Sequence, residues 1–192
     1  MKFIDLFSGI GGFRSALEEL GHECIAFSEI DKFAIKSYKS IYDADGEIEL
    51  GNISEISDEY ISELRGEVDL VVGGSPCQSF SVAGNRGGFE DTRGTLFFEI
   101  ARAAEQIKPR YILLENVKGL LYHDKGNTFS TVLSTLHELG YDVEWNVLNS
   151  KNFGVPQSRE RVYIIGHSRE FGKPKLLFDG EIAEWNCDWR WS

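Results

Sequence analysis

Short apolar runs and amphipathic stretches alternate along most of the chain. Four of the apolar runs predict buried strands, at residues 2–7, 24–27, 68–72 and 111–114. The remaining stretches have the spacing of amphipathic helices, at residues 13–20, 57–64, 95–107 and 128–139, and in the segment that follows the second strand and ends at residue 42. This alternation predicts an α/β fold with a mostly parallel sheet and helices on both faces, which binds ligands at the carboxyl ends of its strands.

The pattern changes towards the end of the chain. Residues 141–148 and 161–165 are predicted as two strands with no helix between them, which indicates an antiparallel edge pair. After residue 168 the periodicity fades into a tail with Trp185, Trp189 and Trp191, too aromatic for an ordinary disordered tail. We therefore expect a folded domain at 1–168 and a tail at 169–192 that contacts a partner.

Composition limits the classes of protein to consider. The 192 residues suffice for one domain, but the net charge of −11 has the wrong sign for holding a polyanion by electrostatics alone. Three scattered cysteines favour reduced thiols over a disulfide framework or a zinc site, so we expect no metal. Because no apolar stretch is long enough to span a membrane and no leader precedes the first strand, we expect a cytoplasmic protein.

A glycine turn at residues 8–12 follows the first predicted strand, and Glu29 ends the second. Such a turn lets backbone amides approach a ligand, and an acid at Glu29 could accept bonds from ribose hydroxyls. The two features together predict a nucleoside cofactor. Because the turn lacks the full dinucleotide fingerprint, it leaves both a dehydrogenase and a methyltransferase open.

A second loop, Gly-Gly-Ser-Pro-Cys-Gln at residues 73–78, brings Cys77 to the carboxyl edge of the predicted sheet. Nearby positive charge or backbone amides would favour a thiolate there. The glycine-dotted run that follows, at 79–94, predicts a mobile flap between strand and helix. We therefore interpret Cys77 as a reactive thiol and Cys24, within its strand, as a core residue.

Five sequence blocks then occur in a fixed order: DLFSGIGG at 5–12, GSPCQSFS at 74–81, DTRGTLF at 91–97, ENV at 115–117 and QSRER at 157–161. With these blocks the chain resembles the DNA cytosine-5 methyltransferases up to about residue 166. The resemblance implies a Rossmann-like S-adenosylmethionine-dependent methyltransferase fold. It also implies methylation of a flipped cytosine in duplex DNA, as in a restriction-modification system.

The resemblance also assigns catalytic roles. It makes Cys77 the nucleophile that attacks carbon 6 of cytosine, and it makes Glu115 the acid that steadies the ring at nitrogen 3. Arg161 matches the arginine near the cytosine carbonyl oxygen, and Arg159 is a weaker candidate from the same block. The structural alternative is that Glu115 is a paired strand-end acid and that both arginines form an ion-pair ladder with Glu160.

By the same resemblance, S-adenosyl-L-methionine is the cofactor and S-adenosyl-L-homocysteine its product. Its predicted contacts are Phe7, Ser8, Gly9, Gly11, Gly12, Glu29, Ile30, Asn52, Ile53, Pro76 and Leu96. Asn52 takes the place of the family's usual aspartate, so its amide oxygen would accept from the adenine amino group without charge assistance. The predicted DNA contacts are Gln78, Ser81 and Arg86.

Two parts of the family pattern are not visible: the target-recognition region and a late Asn-Ser block that completes the cofactor pocket. A complementing chain that supplies them, or a truncated piece that methylates little, would each account for this. Three alternatives also stay open from the sequence: a regulator on an inactive methyltransferase fold, a tRNA cytosine-5 methyltransferase, and a nicotinamide or flavin oxidoreductase.

Overall fold

The described strands form one twisted sheet around which the helices pack. The computed structural model describes residues 1–74, 96–172 and 177–178. Within these residues the sheet has the order β3-β2-β1-β4-β5-β7-β6. The strands are β1 Lys2–Leu6, β2 Glu23–Ser28, β3 Ile48–Glu49, β4 Leu70–Gly73, β5 Tyr111–Val117, β6 Tyr141–Asn149 and β7 Glu160–Ser168.

Strands β1 to β5 run parallel to one another, whereas β7 runs antiparallel to both β5 and β6. The predicted α/β fold with an antiparallel pair at one edge is therefore confirmed. Both β5 and β7 are longer than predicted, and Glu115 and Asn116 lie inside β5 instead of beyond its end. The two strands are longer because they pair with each other along their whole shared length, from Tyr111 opposite His167 to Val117 opposite Arg161. This pairing uses backbone hydrogen bonds, which form at polar positions as well as at apolar ones.

The helices begin and end at local signals in the sequence. They are α1 Gly12–Glu19, α2 Lys32–Ile41, α3 Asp58–Ser62, α4 Leu96–Ile107 and α5 Asn127–Glu138. Asp31 caps α2 by accepting from the amides of Phe33 and Ala34, and Ser57 caps α3. None of the helices in the described part of the chain is long and apolar enough to cross a membrane.

Apolar side chains alternate between the two faces of the sheet. Ile4 and Leu6 of β1 belong to a large core with residues of α3, α4 and α5, whereas Phe3 belongs to a smaller core beneath Leu17 of α1. Cys24 is buried in the smaller core, in agreement with its interpretation as a core residue. Helices thus cover both faces, which leaves the carboxyl edge of the sheet for ligands.

Candidate active site

The carboxyl ends of β1, β2 and β4 meet at one edge of the sheet, and β5 passes this edge before it ends at Val117. Leu6 of β1 is in register with Ser28 of β2 and with Gly73 of β4, and Gly73 is in register with Leu114 of β5. The next residues along these strands therefore lie at the same edge: Phe7, Glu29, Gly74 and Glu115. Three of these four were predicted site residues.

The glycine turn leaves β1 in a left-handed conformation. The φ angles of Phe7, Gly9 and Gly11 are 57°, 56° and 88°. Such a φ is uncommon for a residue with a side chain, and at Phe7 it costs roughly 1–3 kcal/mol, a kind of strain that clusters at functional sites. The Gly11 amide donates to the Ser8 carbonyl at 2.8 Å, so the turn closes on itself.

Glu29 holds this turn from the end of β2. Its Oε2 accepts from the Gly9 amide at 2.8 Å, while its Oε1 accepts from the amides of Ile30 at 2.8 Å and Asp31 at 3.0 Å. The carboxylate is thus oriented by three backbone donors and keeps lone pairs for further donors such as hydroxyls. Ile30 beside it is 71% exposed, so it offers an apolar surface to a planar ring.

Glu115 and Arg161 form an ion pair at the other side of the same edge. Arg161 Nε lies 2.7 Å from Glu115 Oε1, and both side chains are largely buried. Arg161 Nη1 also donates to the Glu160 carbonyl at 2.8 Å, whereas the Glu160 carboxylate pairs with Lys118. The ladder with the Glu160 carboxylate, which was the structural alternative, is therefore absent among these described residues.

The second oxygen of Glu115 faces the end of β4. A Cβ built on Gly74 would lie 3.4 Å from Glu115 Oε2, so this oxygen lies within contact distance of position 74. Tyr163 stands opposite Glu115 in the β5–β7 ladder, and burial together with the Glu115 carboxylate raises the pKa of its phenol. The edge thus combines a fixed carboxylate, a guanidinium and a neutral phenol.

Comparison with known proteins identifies the family. The model of the C-5 cytosine-specific DNA methylases matches residues 1–184. The chain belongs to this family. It is 53% identical over 168 residues to the orphan methyltransferase M.Rho11sI of Bacillus phage rho11s, which covers 86% of this chain and 33% of that protein.

It is also 51% identical over 173 residues to the type II methyltransferase M.HpaII of Haemophilus parainfluenzae, covering 88% of this chain and 47% of the relative. The chain therefore spans less than half the length of these two relatives. Among solved structures, a DNMT2 mutant of Spodoptera frugiperda has a TM-score of 0.73 and 28% identity, over 93% of this chain and 53% of that one. The methylase family and the methyltransferase fold are thereby confirmed, and the oxidoreductase alternative is excluded.

In this methylase domain the side chains of two predicted cofactor residues, Ile53 and Asn52, are held by neighbouring parts of the fold. Ile53 is 2% exposed and packs in the large core, so its side chain does not face the edge. Asn52 caps the short 3-10 helix Ile53–Glu55: its Oδ1 accepts from the Ser54 amide at 3.2 Å and its Nδ2 donates to Glu55 at 2.8 Å. Both polar atoms of Asn52 are thus engaged locally before any ligand binds.

The other predicted site residues lie partly at helix starts, partly at the surface and partly outside the described residues. Gly12 and Leu96 begin α1 and α4 respectively. Arg159 is exposed, and among the described residues its side chain has no hydrogen bond or ion pair, so the structure does not bring it to Glu115 as it brings Arg161. Several predicted site residues lie outside the described residues, namely Pro76, Cys77, Gln78, Ser81 and Arg86. The flap at 79–94 and the three tail tryptophans do so as well.

Sequence reasoning missed two polar residues next to the glycine turn, Asp5 and Arg14, although it had listed Ser8. In the described part of the chain, Asp5 Oδ2 and Ser8 Oγ are buried without a hydrogen-bond partner. Burial raises the pKa of Asp5 to about 7, although the Arg14 amide and guanidinium lower it. An acid inside an otherwise apolar strand was the available signal at Asp5, whereas a buried arginine at position 14 could not be told from an exposed one.

Proposed function

We propose that this methylase domain transfers a methyl group to carbon 5 of a flipped cytosine in duplex DNA through a covalent adduct with Cys77. The observation that supports it most is the Glu115–Arg161 pair, with Nε and Oε1 2.7 Å apart, beside Gly74. Cys77 follows Gly74, at the end of β4, by three residues in the chain, and Glu115 lies on the neighbouring strand β5.

The residue types match the chemistry of a cytosine ring. Carbon 5 becomes nucleophilic only when a thiolate adds to carbon 6, and the enamine so formed needs a hydrogen-bonded or protonated nitrogen 3. In the proposal the Cys77 thiolate forms the bond to carbon 6 as the double bond between carbons 5 and 6 opens, and Glu115 in its protonated form donates its proton to nitrogen 3. After carbon 5 has taken the methyl group, a base removes the proton from carbon 5, the Cys77 sulfur leaves carbon 6 as a thiolate, and nitrogen 3 returns its proton to Glu115, which restores the aromatic ring. No metal takes part in these steps.

Arg161 orients Glu115 for this task. A guanidinium presents its donors in a fixed plane, so its bond to Oε1 leaves Oε2 directed towards the space beside Gly74. In the family role, Arg161 also lies near the carbonyl oxygen of the base.

S-adenosylmethionine is the methyl donor in this proposal, and it supplies an electrophilic methyl group on a sulfonium. The residues at the β1 and β2 ends fit such a nucleoside. The amides of the turn approach closely because Gly9 and Gly11 are left-handed, the oriented Glu29 carboxylate can accept from the ribose, and Ile30 can cover the adenine. We also propose that the backbone around Asn52 borders the adenine, with Pro76 and Leu96 at the rim.

DNA recognition, in this proposal, depends on a complementing polypeptide. The net charge of −11 disfavours phosphate binding by this chain alone, and the chain spans 33% and 47% of two relatives. We propose duplex DNA as the substrate, a restriction-modification role and a prokaryotic cytoplasmic location. This is in keeping with the M.HpaII relative, and Gln78, Ser81 and Arg86 would be local DNA contacts.

Trapping with 5-fluorocytosine tests the proposal, because fluorine at carbon 5 cannot leave as a proton and the adduct persists. The chain, supplemented with the remaining region of M.HpaII, is incubated with S-adenosylmethionine and random-sequence duplexes that carry 5-fluorocytosine. A covalent complex that survives denaturation is expected. It should be lost in Cys77→Ser and retained in Cys24→Ser.

A parallel reaction with total tRNA that contains 5-fluorocytosine separates the alternatives. An adduct on tRNA alone would transfer the assignment to RNA. If neither nucleic acid is trapped although S-adenosylhomocysteine binds, the domain is a non-catalytic regulator and the proposal fails.

A further inference from the structure

Gly11, the residue that precedes α1 in the glycine turn, is bound by the side chain of Tyr42. Tyr42, at the end of α2, donates its hydroxyl to the Gly11 carbonyl at 2.7 Å. The same carbonyl accepts from the Ser15 amide at 2.9 Å, which is the first hydrogen bond of α1. Gly11 is therefore fixed through its amide by Ser8, and through its carbonyl by both α1 and α2.

Gly11 also leaves room for the tyrosine ring. A Cβ at this position would overlap ring atoms of Tyr42, and it would lie 2.9 Å from the hydroxyl oxygen. With φ at 88°, Gly11 adopts a conformation that other residues rarely reach. Two separate constraints thus require glycine here, and one of them exists only because Tyr42 packs against the turn.

A buried arginine holds the Tyr42 ring in place. The Arg14 guanidinium lies 4.5 Å from the centroid of Tyr42 and 5.0 Å from that of Tyr38. It makes a bidentate pair with Glu47, with distances of 2.8 Å and 2.6 Å, and it donates to Glu18 at 2.9 Å. Because Arg14 belongs to α1, Tyr38 belongs to α2 and Tyr42 directly follows α2, this cluster connects the two helices.

We infer that Tyr42 is a positioning residue, which presets the glycine turn for S-adenosylmethionine through its bond to Gly11. The inference rests on the proposed function, in which this turn contacts the cofactor. A hydroxyl that fixes the turn before binding reduces the ordering that the ligand would otherwise have to impose. Tyr42 binds the turn at the Gly11 carbonyl, whereas Glu29 binds it at the Gly9 amide, so the tyrosine acts through the turn and not through a contact with the ligand.

Tyr42→Phe tests the inference, since it removes the hydroxyl and keeps the ring in its place. Amide hydrogen exchange of residues 7–14 in the ligand-free protein should become several-fold faster. By calorimetry, S-adenosylhomocysteine should bind roughly 2- to 10-fold more weakly, the range expected for one neutral hydrogen bond. The melting temperature of the ligand-free protein should stay near that of wild type, which a merely structural role would not predict.

Tyr60→Phe is the matched control, because Tyr60 lies in α3 and its hydroxyl has no hydrogen bond among the described residues. It should change neither the amide exchange of residues 7–14 nor the affinity for S-adenosylhomocysteine.

Unchanged exchange in Tyr42→Phe would overturn the inference, as would faster exchange with unchanged affinity. If wild type does not bind S-adenosylhomocysteine, the proposed function loses its cofactor. If the exchange of residues 7–14 nevertheless rises, the hydroxyl fixes the turn but not for this ligand, and the positioning role is refuted.

Discussion

Arg161 on β7 donates to Glu115 on β5, with 2.7 Å between Nε and Oε1. These two strands are antiparallel, and β5 is the last of the parallel strands in the described sheet. The register places Glu115 opposite Tyr163, so Arg161 is the diagonal neighbour of Glu115 on the same face. This geometry needs β7 to run back along β5. In the resulting site the guanidinium holds one carboxylate oxygen, and the other is left facing Gly74.

Glu115→Gln should lower the rate of methyl transfer by roughly 10²- to 10⁴-fold, the usual contribution of a positioned acid. The amide keeps the shape of the side chain but cannot give up a proton to nitrogen 3. Incorporation of tritiated methyl groups into DNA by the complemented enzyme measures the effect. Glu160→Gln removes a neighbouring exposed carboxylate, paired with Lys118 at 3.1 Å, and should retain near wild-type activity.

Arg161→Lys should also impair methyl transfer, although it preserves the positive charge. An ammonium cannot reproduce the planar Nε contact that orients the carboxylate. If Arg161 acts partly through Glu115, the double variant with Glu115→Gln should be little slower than the poorer single variant. Multiplicative rate losses in the same assay would show that the two residues act independently.

The alternation of apolar runs with amphipathic stretches predicted the sheet, its edge pair and the position of Glu29 correctly, because strand ends in parallel sheets share one edge. Partnerships between distant side chains could not be predicted in this way. The resemblance placed Arg161 near the base and the structural alternative placed it in a ladder with Glu160, but neither predicted its pair with Glu115, which depends on the β5–β7 register. Likewise, Tyr42 meets Gly11 only after α1 and α2 have packed, across 31 residues of sequence.

Arg14→Ala should destabilise the fold by about 3–5 kcal/mol, the usual effect of removing one partner of a buried ion pair. Arg14 is 2% exposed, and its loss leaves the Glu47 carboxylate without its bidentate partner. Urea unfolding followed by circular dichroism measures the change. Lys118→Ala breaks a pair with two exposed members and should cost no more than about 1 kcal/mol. Equal losses in both variants would contradict the buried role of Arg14.

Asn52→Asp restores the aspartate usual in the family, but the structure predicts that it will not tighten cofactor binding by itself. Asn52 Nδ2 donates to Glu55 Oε1 at 2.8 Å, so an aspartate would place two carboxylates against each other. The double variant Asn52→Asp/Glu55→Gln removes that repulsion and offers a charged acceptor to the adenine amino group. Calorimetry should show tighter S-adenosylhomocysteine binding in the double variant only. Tighter binding in the single variant would mean that Glu55 turns away freely.

Asp5→Asn should stabilise the protein increasingly as the pH rises. Asp5 is 1% exposed and burial raises its pKa to about 7, whereas its ordinary value is 3.8. Between these two values the folded state keeps a proton that the unfolded state has released, so wild-type stability falls as the pH rises through this window. Below about pH 4 both states are protonated and the penalty vanishes, and above about pH 7 it is complete, at roughly 4 kcal/mol as an upper bound.

Urea unfolding of both proteins from pH 4 to pH 8 measures this difference. The advantage of Asp5→Asn should grow across the window and then level off. Ser8→Ala is the control, because it removes the other buried polar atom that lacks a partner in the described chain and titrates nothing. Its effect on stability should therefore be the same at every pH. If the difference in unfolding free energy between Asp5→Asn and wild type does not vary with pH, Asp5 is ionised over the whole range. The positive charge of Arg14 would then outweigh the effect of burial.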